Sequence, residues 1–352
     1  MPRRVSIANV HQFARELFAA VADQNFDETQ RRQLSLPGLD VEVRSHDPAY
    51  LKFCTQAFVP NPVKPQAARK AVRVAVVDHA TMPELPSCLW HEAEFSIKRM
   101  VDALLNKGFQ GMYELDYRLW QLYRNHDGEA VQLMVDNSAF PPWESAFPLR
   151  QFVHWAYHGT HQRLMHAGTL GHDGRGVLLA GSGGSGKSGT TLSGILNGLT
   201  TVGDDYVVVH NDGSGWRIEP VVRLMKQDAA GLNRLGLPSN GEHMRGPNWQ
   251  NKFVFDYTAV HPGAAADTLD LAAILLPVIT RGNTTEIVPA TTREAVMALV
   301  PSSLYQLKGG WADTLRFTSQ LCRMVPAYHL RLGSEPVEIA DVIKGFIEGR
   351  AR

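Results

Sequence analysis

The sequence predicts an α/β carboxyl-terminal core preceded by a smaller α+β unit, and two observations carry that prediction. An apolar strand, Gly176-Val177-Leu178-Leu179-Ala180, runs directly into a glycine-rich loop and then an amphipathic helix from Thr190 to Leu199, with a β-branched strand ending at Val209 beyond it. Ahead of Phe140-Pro141-Pro142-Trp143 the chain shows mixed strands and helices without such a unit, so the boundary is set at 144/145, giving domains 1–144 and 145–352.

The bulk properties set limits on partners. A length of 352 residues exceeds the usual size of one domain. Lys+Arg and Asp+Glu balance at 35 each, which gives no global reason to expect nucleic acid or an anionic membrane. The segment after Met1-Pro2-Arg3-Arg4 is amphipathic, and no later stretch approaches a membrane span, so a cytoplasmic location without a membrane partner is expected. Cys54, Cys88 and Cys322 are odd in number and far apart, which suggests neither a disulfide framework nor a zinc site and fits a reducing compartment.

Along the first unit, Val10, Phe13, Ala14, Leu17, Phe18 and Val21 recur at helical spacing, and Leu39 to Arg44 alternates as a half-buried strand after Pro37-Gly38. Asp47-Pro48 opens a short helix, and Pro60-Asn61-Pro62-Val63-Lys64-Pro65 forms a loop because its prolines lack a donor. Strands follow at Val72 to Val77 and within Met112 to Tyr123, separated by a helix near Phe95 to Leu105. In the second unit a helix is predicted from Leu149 to His161, a strand from Arg163 to Gly168, a turn at Gly171 to Gly174, and a closing helix from Pro336 to Gly349. Trp143, Trp155 and Trp249 are read as core anchors, since their neighbourhoods are not basic. No internal repeat is present.

Gly181-Ser182-Gly183-Gly184-Ser185-Gly186-Lys187-Ser188, followed by Gly189, matches a P-loop in the strand-to-helix context its mechanism requires. Glycines let successive amides approach phosphate oxygens, and the helix N-terminus adds partial positive charge. Lys187 would reach the terminal phosphates of ATP, and the Ser188 hydroxyl would coordinate Mg2+. Downstream, Asp204-Asp205 stands at the mouth of a strand, a pair suited to metal binding and proton transfer. His166 precedes the loop and is placed to approach that pair if the strands run parallel.

These residues resemble the HPr kinase/phosphorylase family and its relatives, which share a nucleotide-binding core with phosphoenolpyruvate carboxykinases. The resemblance is carried by Met165-His166-Ala167, by Gly176 to Gly181 leading into Gly186-Lys187-Ser188, and by Gly203-Asp204-Asp205. It is best from about Pro141 to Val209. It implies a kinase core of that type in which Asp204 is the acid/base residue, Asp205 and Ser188 hold the metal, and His166 belongs to the active site. The Arg-Gly signature of the family has only a counterpart with altered spacing, Glu242-His243-Met244-Arg245-Gly246, so the acceptor is a serine of a protein or peptide, or a small-molecule hydroxyl, rather than HPr itself. Arg245 and Lys252 are the additional cations of interest for phosphoryl transfer, and Lys226 has similar standing. The family often forms oligomers, which leaves a homo-oligomer open. Two other readings stand beside the kinase: a nucleotide-dependent regulatory switch or weak ATPase, and the carboxykinase reaction.

Overall fold

The computed structural model describes residues 4–60, 69–86, 89–91, 95–134, 140–211, 213–280 and 282–349. The stretch 61–65 and Cys88 lie outside them. The chain divides into two compact units, Met1–Gln56 with Pro60–Ala156, and Ala57–Val59 with Tyr157–Arg352.

The first unit contains α1 (Val10–Ala22), β1 (Arg31–Leu36), β2 (Leu39–Ser45), α2 (Pro48–Ala57), β3 (Lys70–Asp78), α3 (Ile97–Leu105), β4 (Phe109–Glu114), β5 (Leu119–Arg124), β6 (Glu129–Met134) and α4 (Arg150–Ala156). Its six strands form one mixed sheet in the order β1-β2-β3-β6-β5-β4. The six apolar residues that give α1 its helical period are the ones it buries, and Phe13 meets Trp120 with ring centroids 4.8 Å apart. The division falls at 156/157 rather than at 144/145. The helix predicted from Leu149 to His161 is shorter and belongs here: Trp155 packs 6.5 Å from Tyr123, and Lys70 Nζ donates to Ala156 O at 2.7 Å.

The second unit contains β7 (Gln162–Met165), β8 (Gly168–His172), β9 (Arg175–Leu179), α5 (Lys187–Leu196), β10 (Val207–Asn211), β11 (Trp216–Glu219), β12 (Leu224–Asp228), α6 (Ala229–Arg234), β13 (Met244–Arg245), β14 (Lys252–Asp256), α7 (Tyr257–Val260), β15 (Leu269–Ile279), β16 (Glu286–Ala290), α8 (Thr292–Gln306), α9 (Trp311–Met324), β17 (Ala327–Leu332) and α10 (Pro336–Gly349). The main sheet is mixed: β9 and β17 run parallel to β15, whereas β7, β10, β11 and β15 are joined antiparallel. β12, β14 and β13 form a separate antiparallel sheet.

Apolar side chains alternate across β9 and β15 and supply both faces of the sheet. Val177, Leu179, Ala273 and Leu275 join Leu192 and Ile195 of α5 and Ile339, Ile343 and Ile347 of α10 in one core. Leu178, Ala180, Ile274 and Leu276 join Ala295 and Leu299 of α8 and Leu321 of α9 in the other. Three layers result, and the strand bearing the glycine loop is buried on both sides. Among the described residues no helix is long and apolar enough to cross a membrane. Cys54 and Cys322 are free and buried. Trp155 is buried, but Trp249 is 63% exposed and is not a core anchor, because it sits in the connection between β13 and β14.

Candidate active site

The glycine loop links β9 to α5, and its backbone needs glycine where it turns. Gly184 and Gly186 have φ of +81° and +105°, in the left-handed region costly for side chains. A Cβ on Gly186 would also come within 2.7 Å of Leu332. A Cβ on Gly183 or Gly184 would meet nothing within 4 Å, so the loop opens onto free space. Lys187, the first residue of α5, is 8% exposed and turns back over the loop, donating to Gly181 O at 2.6 Å and Ser182 O at 3.0 Å. Burial lowers its pKa, opposed by the carboxylates of Asp204 and Asp205.

The Asp204-Asp205 segment is fixed by two buried threonines. Thr169 Oγ donates to Gly203 O at 2.8 Å and accepts from Val202 N–H at 3.2 Å, while Thr201 Oγ accepts from Gly203 N–H at 3.0 Å. Tyr206 N–H then donates to Asp204 O at 2.8 Å across Asp205, whose φ is +70°. That is a three-residue turn with a strained centre, a conformation that persists where surrounding contacts enforce it. Its effect is to send two adjacent carboxylates in different directions.

Asp204 points inward, 1% exposed. Its Oδ1 lies 3.5 Å from Thr191 Oγ, one helical turn beyond Lys187, and the nearby Ser188 hydroxyl works to lower its pKa. Oδ2 is buried and has no hydrogen-bond partner. Burial and then the neighbouring Asp205 charge push this carboxyl above its ordinary pKa. Gly168 makes room for it: a Cβ there would lie 2.8 Å from Oδ1.

Asp205 keeps part of its surface open and is gripped on both sides. Lys226 Nζ lies 2.5 Å from Oδ2 and His166 Nε2 lies 3.1 Å from Oδ1. Burial works against the charge, but Lys226 and His166 outweigh it and hold the carboxyl well below its usual range. An ionised carboxylate only accepts, so His166 Nε2 carries the shared proton and its buried Nδ1 is left without a partner.

The geometry therefore brings Lys187, Ser188, Asp204, Asp205 and His166 together at one end of the sheet. It differs from the sequence expectation in three respects. His166 lies not within a strand but in the break between β7 and β8. It meets the aspartates because β7 and β10 are antiparallel, with Met165 opposite Val207, and not because parallel strand ends meet. Ser188 stands near Asp204, whereas the resemblance sets it with Asp205 on the metal side. Sequence reasoning ranked Lys226 only with Arg245 and Lys252 and passed over Thr191 and Gly168. The helical spacing of Thr191 from Lys187 was a usable signal, whereas Lys226 is distant in sequence and reaches the site only through the pairing of β12. Arg245 and Lys252 lie on the small sheet with Lys226. No group of three or more His, Cys, Asp or Glu residues able to hold a metal is present among the described residues.

The fold and site define a mixed α/β protein with carboxylates and a lysine gathered beside a glycine-rich loop. No protein-family model matches the chain, and no curated protein matches it. Among solved structures it is similar to the Hpr(Ser) kinase/phosphatase from Coxiella burnetii, with 13% identity over 54% of this chain and 99% of that chain and a TM-score of 0.29. At that level of similarity, the functional reading rests on the site's own chemistry.

Proposed function

We propose that the chain is an ATP- and Mg2+-dependent kinase whose glycine loop is a P-loop and which phosphorylates an alcohol, a serine of a protein or peptide or a small-molecule hydroxyl. The observation that carries this reading is the splaying of Asp204 and Asp205, one toward Ser188 and the other between His166 and Lys226.

The residues fit both groups. Asp204 Oδ2 is a buried, unpartnered carboxylate oxygen beside a serine hydroxyl, a set of hard oxygens suited to Mg2+. The open glycine loop, the start of α5 and the Lys187 ammonium, which occupies only carbonyls of its own loop, fit a polyphosphate. Magnesium, when bound, neutralises charge on the terminal phosphates.

The chain's residues then divide the work. The loop amides and Lys187 bind and align the phosphates, and Ser188 with Asp204 forms the metal side. Asp205, more exposed than Asp204 and ionised, orients the acceptor hydroxyl and accepts its proton. A carboxylate of depressed pKa is a weak base, yet phosphoryl transfer through a loose transition state asks more for positioning than for basicity. His166 and Lys226 fix that carboxylate's rotamer. This assignment exchanges the roles that the family resemblance implies for the two aspartates.

Transfer of label from γ-labelled ATP to serine peptides and hydroxy compounds tests the reading. Acid-stable product that Asp205→Asn abolishes, with Mg·ATP binding retained, supports it; nucleotide binding without any labelled acceptor replaces it with the regulatory switch. One observation favours a second reading: His166 and Lys226 converge on one carboxylate, and on losing the protons they turn toward it they would form a donor set for a transition-metal ion, of which a carboxykinase reaction would make use. Manganese-dependent turnover of oxaloacetate would establish that alternative.

A further inference from the structure

His166 stands in the break between β7 and β8, so its peptide lies outside both ladders. The Ser303 hydroxyl of α8, fully buried, accepts its N–H at 3.4 Å. The imidazole is held differently. A histidine that shares a proton with a carboxylate is ordinarily oriented by a second hydrogen bond at its other ring nitrogen. Here Nε2 meets Asp205 Oδ1 at 3.1 Å while Nδ1 is buried without a partner, so packing must supply the orientation that a second bond would give.

That packing comes from Tyr206. Its ring centroid lies 5.3 Å from that of His166, with the planes tilted by 50°, an attractive arrangement for two aromatic rings. Tyr206 is 1% exposed, and its hydroxyl donates to Gln306 Oε1 of α8. Ser303 and Gln306 are three residues apart and so share one face of that helix. The same tyrosine closes the turn at Asp205 through its N–H. One residue thus joins the carboxylate turn, the imidazole bonded to the carboxylate, and the helix that grips the peptide of that same histidine.

We propose that Tyr206 is a positioning residue of the phosphotransfer site: its ring, anchored by Gln306, supplies the orientation that a hydrogen bond at Nδ1 would, and keeps His166 Nε2 on Asp205. The proposal rests on the kinase reading, in which Asp205 orients the acceptor hydroxyl. Without the tyrosine ring the imidazole can turn away and leave Asp205 to Lys226 alone. The carboxylate then shifts from its angle toward the acceptor, while the glycine loop and Lys187 are untouched. The loss therefore falls on kcat and spares nucleotide affinity.

A double-mutant cycle tests this, read with whichever serine peptide or hydroxy compound the native protein labels most heavily from γ-labelled ATP and Mg2+. Tyr206→Leu should lower kcat by about thirtyfold and leave the Kd for Mg·ATP unchanged. In a His166→Ala background, where Lys226 still braces Asp205, the same change should cost less than about twofold, because no imidazole is left to orient. Tyr206→Phe keeps the ring but releases it from Gln306, and it serves if the leucine variant fails to fold: its expected loss is about threefold in kcat, again vanishing without His166. Equal losses with and without His166, or a kcat that neither substitution changes, overturn the proposal and leave the kinase reading standing. Nucleotide binding with no acceptor labelled by the native protein would overturn the kinase reading itself, and this inference with it.

Discussion

Lys226 Nζ sits 2.5 Å from Asp205 Oδ2, opposite His166 at 3.1 Å from Oδ1, so one carboxylate is braced by cationic or proton-donating groups from two separate strand regions. Removing one brace should act on both stability and chemistry. Lys226→Met leaves a largely enclosed carboxylate with one partner, at a cost of about 2 kcal/mol. The depressed pKa of Asp205 means that its stabilisation is present above the unfolded carboxyl pKa and is lost only as pH falls through the lower folded value. Without Lys226 that folded value rises, so the acid limb of kcat/KM should move to higher pH in the variant. An unmoved limb would show that Asp205 does not depend on Lys226.

Much of this arrangement was legible in the sequence because it is local. The strand, glycine loop and helix are contiguous, and their composition reports their geometry. α10 matches its predicted bounds, and the apolar positions that predict α1 all lie along it, because the periodicity is contained within each segment. What escaped is non-local: the antiparallel return that brings Met165 opposite Val207, and the small sheet that carries Lys226 to Asp205, depend on pairings between distant strands. The strand predicted from Arg163 to Gly168 is broken at His166-Ala167 because β7 and β8 pair with different partners, β10 and β9. Trp249 was misplaced for a related reason, since composition does not reveal which loop a fold leaves exposed.

Asp204 predicts the opposite pH behaviour to its neighbour. Its carboxyl is raised by burial and by the Asp205 charge, so its contribution is favourable below the unfolded pKa and is lost as pH rises through the folded value. Above that folded value the metal-free protein therefore carries an unfavourable buried charge. Asp204→Asn should raise the Tm of the metal-free protein and eliminate the further rise on adding Mg·ATP. Scanning calorimetry with and without Mg·ATP checks both; a variant that is less stable without metal, or that keeps the Mg·ATP shift, would contradict the assignment.

The space beside Asp204 is set by Gly168. A Cβ there would lie 2.7 Å from Thr191 Oγ and 2.8 Å from Asp204 Oδ1, closer than side chains tolerate. Gly168→Ala should cost about 1–3 kcal/mol and displace the carboxylate, weakening Mg·ATP binding along with stability. Gly345→Ala is the comparison: this glycine is exposed within α10, its Cβ would meet nothing within 4 Å, and the change should stabilise by about 0.5–1 kcal/mol without altering nucleotide affinity. Equal effects of the two substitutions in thermal melts and nucleotide titrations would argue against a steric role for Gly168.

A separate titration lies in the first unit. Glu144 is 3% exposed, and its Oε2 accepts from Leu149 N–H at 3.1 Å and from the Tyr50 hydroxyl at 3.4 Å. Leu149 itself has φ of +59°, so the carboxyl helps to hold a strained turn at the start of α4. Burial dominates the two hydrogen bonds and raises the carboxyl from 4.5 to about 7. A raised folded pKa gives stability that is complete below pH 4.5 and is lost as pH rises through about 7, a total of about 3 kcal/mol at 1.36 kcal/mol per pKa unit. Thermal melts between pH 5 and pH 8 should therefore show the native protein weakening with rising pH, while Glu144→Gln, which keeps an acceptor without the charge, should flatten that slope and melt higher at pH 8. A variant whose melts track the native protein across that range would show that Glu144 is ionised in the folded state at little cost and that the turn at Leu149 is held by other means.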